Sequence, residues 1–164
     1  MRNVFNRLPV VDRFNRFLDH QLKKRKLKTK DLALAGFSMG GGMALHAAAR
    51  RKENCAAVVS HSGTILPIFR ARSKPEALIL MGDRDEIFFP DHRQKDHPVS
   101  KLVKAFRKVG INFSLDHKDT VRRVRKAGLP LREVIVHGLG HNITDESWDQ
   151  VDSFVAKNLR KRGP

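Results

Sequence analysis

Three glycine-rich segments hold the residues whose types and spacing suit covalent catalysis. The first is Gly36-Phe37-Ser38-Met39-Gly40-Gly41-Gly42, which fits Gly-x-Ser-x-Gly. It follows the apolar run Asp31-Leu32-Ala33-Leu34-Ala35 and opens an Ala-rich, helix-forming stretch. A strand that turns this sharply into a helix strains the serine backbone and projects its hydroxyl from the turn. Side chains at 36 and 40 are expected to collide with the neighbouring strand and helix, so both positions are glycine. The helix N-terminus behind Ser38 presents unpaired N–H groups, and the Met39 N–H is the candidate oxyanion donor.

A serine hydroxyl needs a base to take its proton, and the base needs a group to orient it. Met81-Gly82-Asp83-Arg84-Asp85-Glu86 offers three carboxylates at the end of another apolar run. Asp85 is preferred, because Gly-x-x-Asp lets the chain bend out of a strand and return a carboxylate beneath a histidine. Asp83 is the alternative, with a turn or a pairing to Arg84 as its structural role. His137-Gly138-Leu139-Gly140-His141 supplies the base. His141 falls in a loop just before the last helix, whereas His137 ends a strand and is expected to be half-buried and structural. The expected triad is therefore Ser38, Asp85 and His141. No histidine has metal-ligand spacing with carboxylates or cysteines, so neither a metal nor another cofactor is expected.

The elements that must position these groups follow from periodicity. Apolar runs at 31–37, 56–60, 77–81 and 133–136 read as buried strands, with helical patterns between them. That alternation specifies a parallel sheet between helical layers. Residues 8–26 form an amphipathic helix with Leu8, Val11, Phe14, Phe17 or Leu18, and Leu22 inward, expected to pack on the sheet. Thr144 caps the last helix, whose inner face is read as Trp148, Val151, Val155 and Leu159. Residues 100–113 and 118–131 repeat one plan of helix, glycine stop and apolar run. The expectation is a single domain over 1–164, with 88–114 as a candidate inserted helical hairpin or lid.

Hydrophobic residues make up 40% and charged residues 30% of the chain, the balance of a globular domain. No apolar run approaches the ~20 residues of a transmembrane helix. The N-terminus does not read as a signal peptide, and the one cysteine, Cys55, has no internal partner. A cytoplasmic setting is expected. Lys and Arg number 33 against 17 Asp and Glu, a formal charge of +16. The basic residues are spread along the sequence, and no stacking motif, zinc-finger spacing or phosphate loop accompanies them. Specific nucleic-acid binding is not expected.

From about residue 8 to residue 158 the chain resembles the phospholipase/carboxylesterase family of the α/β-hydrolase superfamily, whose members include acyl-protein thioesterases. Gly36-Phe37-Ser38-Met39-Gly40-Gly41, Gly82-Asp83-Arg84-Asp85 and Gly138-Leu139-Gly140-His141 carry the resemblance, joined by His61-Ser62-Gly63. It implies a three-layer α/β-hydrolase core with a mostly parallel sheet of about four strands. It also implies hydrolysis of small-molecule carboxylic esters or thioesters through an acyl-enzyme on Ser38. Phe37, Leu66 and Phe88 are candidate substrate-lining residues, beside Met39 and Phe89. Relative to the family pattern, the N-terminal strands and the loop giving the second oxyanion donor are missing. The strand at 32–37 is therefore expected at a bare sheet edge, a route to a homodimer through strand pairing. The alternative expectation is a truncated, weak or inactive homologue serving as a basic anion-binding module.

Overall fold

The computed structural model describes residues 9–65, 69–88, 101, 104 and 116–161. The expected hairpin or lid at 88–114 lies outside them, apart from Phe88, Lys101 and Lys104. Leu66 and Phe89 lie outside them as well.

Four parallel strands form one sheet in the order β1-β2-β3-β4. They are β1 (Ala33–Phe37), β2 (Ala57–His61), β3 (Glu76–Gly82) and β4 (Leu131–Val136). The helices are α1 (Pro9–Lys24), α2 (Met39–Arg50), α3 (His117–Lys126) and α4 (Asp145–Arg160). The fold class is thus the three-layer α/β arrangement read from the sequence, and among the described residues no helix is long and apolar enough to cross a membrane.

Alternation along the central strands builds the two cores. Val58 and Ile79 point to one face, where they meet Val11, Leu45, Val121 and Val124 from α1, α2 and α3. Val59, Leu78 and Leu80 point to the other, where Val151 and Phe154 of α4 cover them. With both faces covered, β2 and β3 are almost continuously buried, which is why they read as unbroken apolar runs. Among the described residues β1 and β4 are the outer strands. Ala35 is exposed on β1, and Ile135 is exposed on β4.

Two helix faces differ from expectation. α1 docks chiefly against α2 rather than lying flat on the sheet. Polar interlocks set this packing: Asn15 donates to the Ala47 carbonyl at 3.1 Å, Arg50 meets Asp12 at 3.1 Å, and Arg51 pairs with Asp19. They turn Val11 inward and leave Phe14 and Phe17 exposed. In α4 the buried stripe is Ser147, Val151, Phe154 and Asn158, while Trp148 and Leu159 are exposed. Two polar members of that stripe hid it from an apolar periodicity, and Ser147 is drawn inward by a buried hydrogen bond to His61.

Parallel connectivity also sorts the charges. The chain passes from the ends of α1, α2 and α3 into β1, β2 and β4 through short connectors, so these helix ends gather where the strands begin. Their last turns carry Lys23 and Lys24, Arg50, and then Arg123, Arg125 and Lys126. Basic groups there complement the negative ends of the helix dipoles. Among the described residues, cations that are far apart in sequence are thus brought to one end of the sheet.

Candidate active site

The other end of the sheet, where strands finish, holds the chemistry. β1 gives way to α2 at Ser38, whose φ of 55° and ψ of −124° lie outside the ordinary regions for a residue with a Cβ. The turn is tight enough that a Cβ on Gly36 would sit 2.2 Å from the Gly40 carbonyl oxygen. Gly40 itself is uncrowded, since a Cβ there meets nothing within 4 Å. The collision expected at 40 is absent because that position faces away from the sheet, and the close approach falls on Gly36. Met39, 83% exposed, opens α2 and leaves the first backbone N–H groups of the helix beside Ser38.

His141, Ser38 and Asp85 form one hydrogen-bonded line. The His141 Nε2 lies 2.9 Å from Ser38 Oγ, and its Nδ1 lies 2.9 Å from Asp85 Oδ2. Asp85 is fully buried, and its other oxygen accepts the N–H groups of Ile87 at 3.0 Å and Phe88 at 3.3 Å. Those amides fix the carboxylate plane and offset its desolvation. Gly82 makes the approach possible, because a Cβ there would fall 1.9 Å from the Leu139 carbonyl oxygen. The loops after β3 and β4 are further tied by Arg84 N–H donating to that carbonyl at 3.0 Å.

Asp83 belongs to a separate pair. Its Oδ2 meets His137 Nδ1 at 2.6 Å, and its Oδ1 accepts the Gly138 N–H at 2.7 Å. It therefore partners the β4 tip rather than Arg84. Its desolvation, which raises the pKa, is outweighed by the Gly138 and His137 hydrogen bonds, and the carboxyl ends below its ordinary value. His137 is 93% exposed on its side chain, not half-buried as expected, because β4 is an outer strand.

Aromatic rings enclose the imidazole. The Phe37 ring centre lies 4.9 Å from that of His141, and the Phe88 centre lies 5.5 Å away. Phe37 and Phe88 thus come to the site as packing around His141, with Phe88 buried and Phe37 half-buried. Leu66 is outside the described residues. Among the described residues no group of three side chains could hold a metal ion.

The residue that periodicity and motif spacing left without a role is His61, the last of β2. It is buried, with Nε2 2.9 Å from Ser147 Oγ and Nδ1 3.2 Å from Ser62 Oγ. Ser147 shares a capping box with Thr144 at the start of α4, three residues beyond His141. Phe37 packs edge-on between the two histidines, 5.3 Å from His61. Burial pushes the His61 pKa down; the Asp85 carboxylate opposes that, and the nearby His141 adds to it. The imidazole is therefore held neutral. The signal in the sequence was a histidine closing a strand that reads as buried throughout.

A strand-serine-helix turn at the carboxyl end of a parallel sheet, with an Asp-His pair delivered from two later strands, defines a class. The α/β-hydrolase fold matches residues 10–158, and the chain belongs to that family. Among solved structures, esterase PE8 is 26% identical with a TM-score of 0.62, matched over 88% of this chain and 58% of that one. Arabidopsis thaliana SOBER1 is 15% identical with a TM-score of 0.68, over 93% and 64%. Zea mays acyl-protein thioesterase 2 is 17% identical with a TM-score of 0.59, over 91% and 64%. These similarities agree with the phospholipase/carboxylesterase resemblance of the motifs. No curated protein matches the chain. The chain spans 58% to 64% of the length of these three structures.

Proposed function

We propose that this chain is a serine hydrolase that cleaves carboxylic esters or thioesters through an acyl-enzyme on Ser38. The observation that carries the reading is the line Asp85–His141–Ser38, two contacts of 2.9 Å ending on a serine with strained backbone. Similarity to esterase PE8, a protein named for that activity, supports the ester class.

In this reading His141 Nε2 takes the Ser38 proton as Oγ attacks the substrate carbonyl carbon. The carbonyl oxygen becomes an oxyanion facing the α2 N-terminus, where the Met39 N–H is the assigned donor. Asp85 accepts the Nδ1–H of His141, holding the tautomer with Nε2 free and stabilising the imidazolium that forms. The imidazolium returns its proton to the departing alkoxide or thiolate. Water then repeats the sequence, with His141 as its base, and releases the acid and Ser38. Phe37 and Phe88 keep the imidazole in place, and the substrate's acyl part passes along Phe37 and the exposed Met39 side chain. No cofactor enters any step.

The test is hydrolysis of p-nitrophenyl butyrate by the 164-residue chain beside Ser38→Ala. The expected outcome is activity in the parent and a loss of about 10⁴-fold or more in the variant. Activity that survives in the variant, or folded parent protein without activity, overturns the reading. A butyryl thioester run in parallel separates the two substrate classes.

A further inference from the structure

The site reading leaves the large positive charge without a role, and among the described residues the last turns of the helices carry much of it to the opposite end of the sheet. There an open cleft of about 610 Å³ lies between the connector leading into β3 and the last turns of α3. Its walls carry Arg70, Arg122, Arg123 and Lys126, and its floor is Phe69 with two alanines. Arg122 is paired with Asp119. Arg70, Arg123 and Lys126 have no carboxylate partner among the described residues. Three other arginines at this end are held in ion pairs: Arg50 meets Asp12, Arg51 meets Asp19, and Arg125 meets Glu133.

The floor is built rather than incidental. Phe69 packs edge-on against His46, with ring centres 5.2 Å apart. His46 is buried within α2, so the ring it supports is anchored to the core. The loop bearing Arg70 is tied to the same helix, where the Arg72 N–H donates to the Ala49 carbonyl at 2.7 Å and Ser73 Oγ donates to the Ala48 carbonyl at 2.7 Å. Three unpaired cations are therefore presented from two fixed elements around an apolar base. Guanidinium groups in such an arrangement match the oxygens of a phosphate in pairs. The volume is that of an ordinary small-molecule site.

We propose that this cleft, at the end of the sheet remote from Ser38, is a binding site for a phosphate ester. Arg70 and Arg123 would grip the phosphate oxygens, Lys126 would add charge, and Phe69 would lie under the organic part of the ligand. The phosphate is either that of a soluble metabolite or the headgroup of an anionic lipid. Phe69 is the only aromatic ring among the lining residues. A single-stranded nucleic acid needs a row of such platforms, so that class is disfavoured. Occupancy here leaves the triad end facing away from whatever carries the phosphate.

The experiment measures binding by the full chain to inorganic pyrophosphate by calorimetry, and to phosphatidylglycerol-containing vesicles by co-sedimentation. The double variant Arg70→Gln/Arg123→Gln is compared with Lys157→Gln/Arg160→Gln, which removes equal charge on α4, outside the cleft. Lys126→Gln serves as a milder second cleft variant, and melting curves report folding of each. The expected result is binding by the parent to at least one probe, a loss of about a hundredfold in the cleft double variant, and a change within about twofold in the α4 variant. Pyrophosphate binding identifies a soluble ligand, and binding to vesicles alone identifies a headgroup. Equal losses in both double variants would show net charge alone at work and overturn the proposal. So would a parent that binds neither probe.

Discussion

The two ends of the parallel sheet are chemically opposite. Where strands finish, acids gather: Asp83, Asp85 and Glu86 after β3, then Asp145 and Glu146 at the start of α4. Asp83 and Asp85 are each tied to a histidine there, and Ser38 is held in a strained conformation. Where strands begin, the last turns of helices bring cations together, and three of them stay unpaired around a cleft. One rule produces both ends. Helices that run back against parallel strands put their positive dipole ends beside the strand tips and their negative ends beside the strand starts. The first suits an oxyanion and capping carboxylates, and the second collects Lys and Arg. The lesson is that a charge spread evenly along a sequence need not be spread evenly in space.

The sharpest division within the acidic end lies between two Asp-His pairs whose carboxylates sit only two residues apart just after β3. Asp85 is fully buried and reaches His141, whereas Asp83 is partly exposed and reaches His137. Replacing Asp85 by Asn is expected to lower kcat by about 10³–10⁴, because an amide can donate to Nδ1 and stabilise the wrong tautomer. Asp83→Asn is expected to leave kcat within a few-fold. Its effect should show in acid unfolding instead. The Asp83 carboxyl is held below its unfolded value, so its stabilisation is present above the unfolded pKa and lost as pH falls through the folded one. Steady-state kinetics with both variants decides the matter, and equal kinetic losses would break the distinction between the pairs.

Much of this was legible before any coordinates. Gly-x-Ser-x-Gly after an apolar run fixed the place of Ser38, since strand, serine and helix must coincide for the motif to mean anything. Buried parallel strands are apolar throughout, so β2 and β3 stood out from composition alone. What escaped the sequence depended on contacts between distant segments. The exposure of Phe14 and Phe17 follows from ion pairs between α1 and α2, which no periodicity within α1 reports. The inward face of α4 includes Ser147 and Asn158, whose polarity conceals their burial. The basic cleft joins residues 69–71 to residues 122–127, so its charges are neighbours only after folding.

At the basic end, His46 offers a test by pH. Burial, reinforced by Arg50, lowers its pKa from 6.5 to about 4. An unfolded chain takes up a proton in that interval that the folded chain refuses. Stability contributed by the neutral ring is therefore complete above about pH 6.5 and declines as pH falls toward 4, by roughly 3 kcal/mol at most. Urea melts of the parent across that range should show the decline, and His46→Leu should flatten it. Because His46 supports Phe69, acidification should also weaken pyrophosphate binding in the cleft before it affects the pair of Asp83. A parent whose stability is level from pH 7 to 4.5 would mean that His46 charges freely and that the floor of the cleft is soft.

The smallest expected effect concerns His61, which connects the catalytic loop to the sheet. Its neutral ring touches neither Ser38 nor a substrate position assigned above, yet two supports of His141 rest on it. One is Phe37, whose ring stands between the two histidines, and the other is Ser147, which with Thr144 fixes the start of α4. His61→Leu keeps the volume and removes both hydrogen bonds. Ser147 retains its capping contacts with Thr144, so α4 should still form. What is lost is the tether between that cap and β2, and with it some of the alignment of His141 Nε2 on Ser38. Misalignment of this kind acts on the chemical step, so kcat should fall about tenfold while KM stays within twofold. A purely structural role would instead lower the melting temperature and leave the kcat of the folded fraction intact. A rise in KM alongside the fall in kcat would place His61 nearer the substrate than the geometry of Phe37 allows.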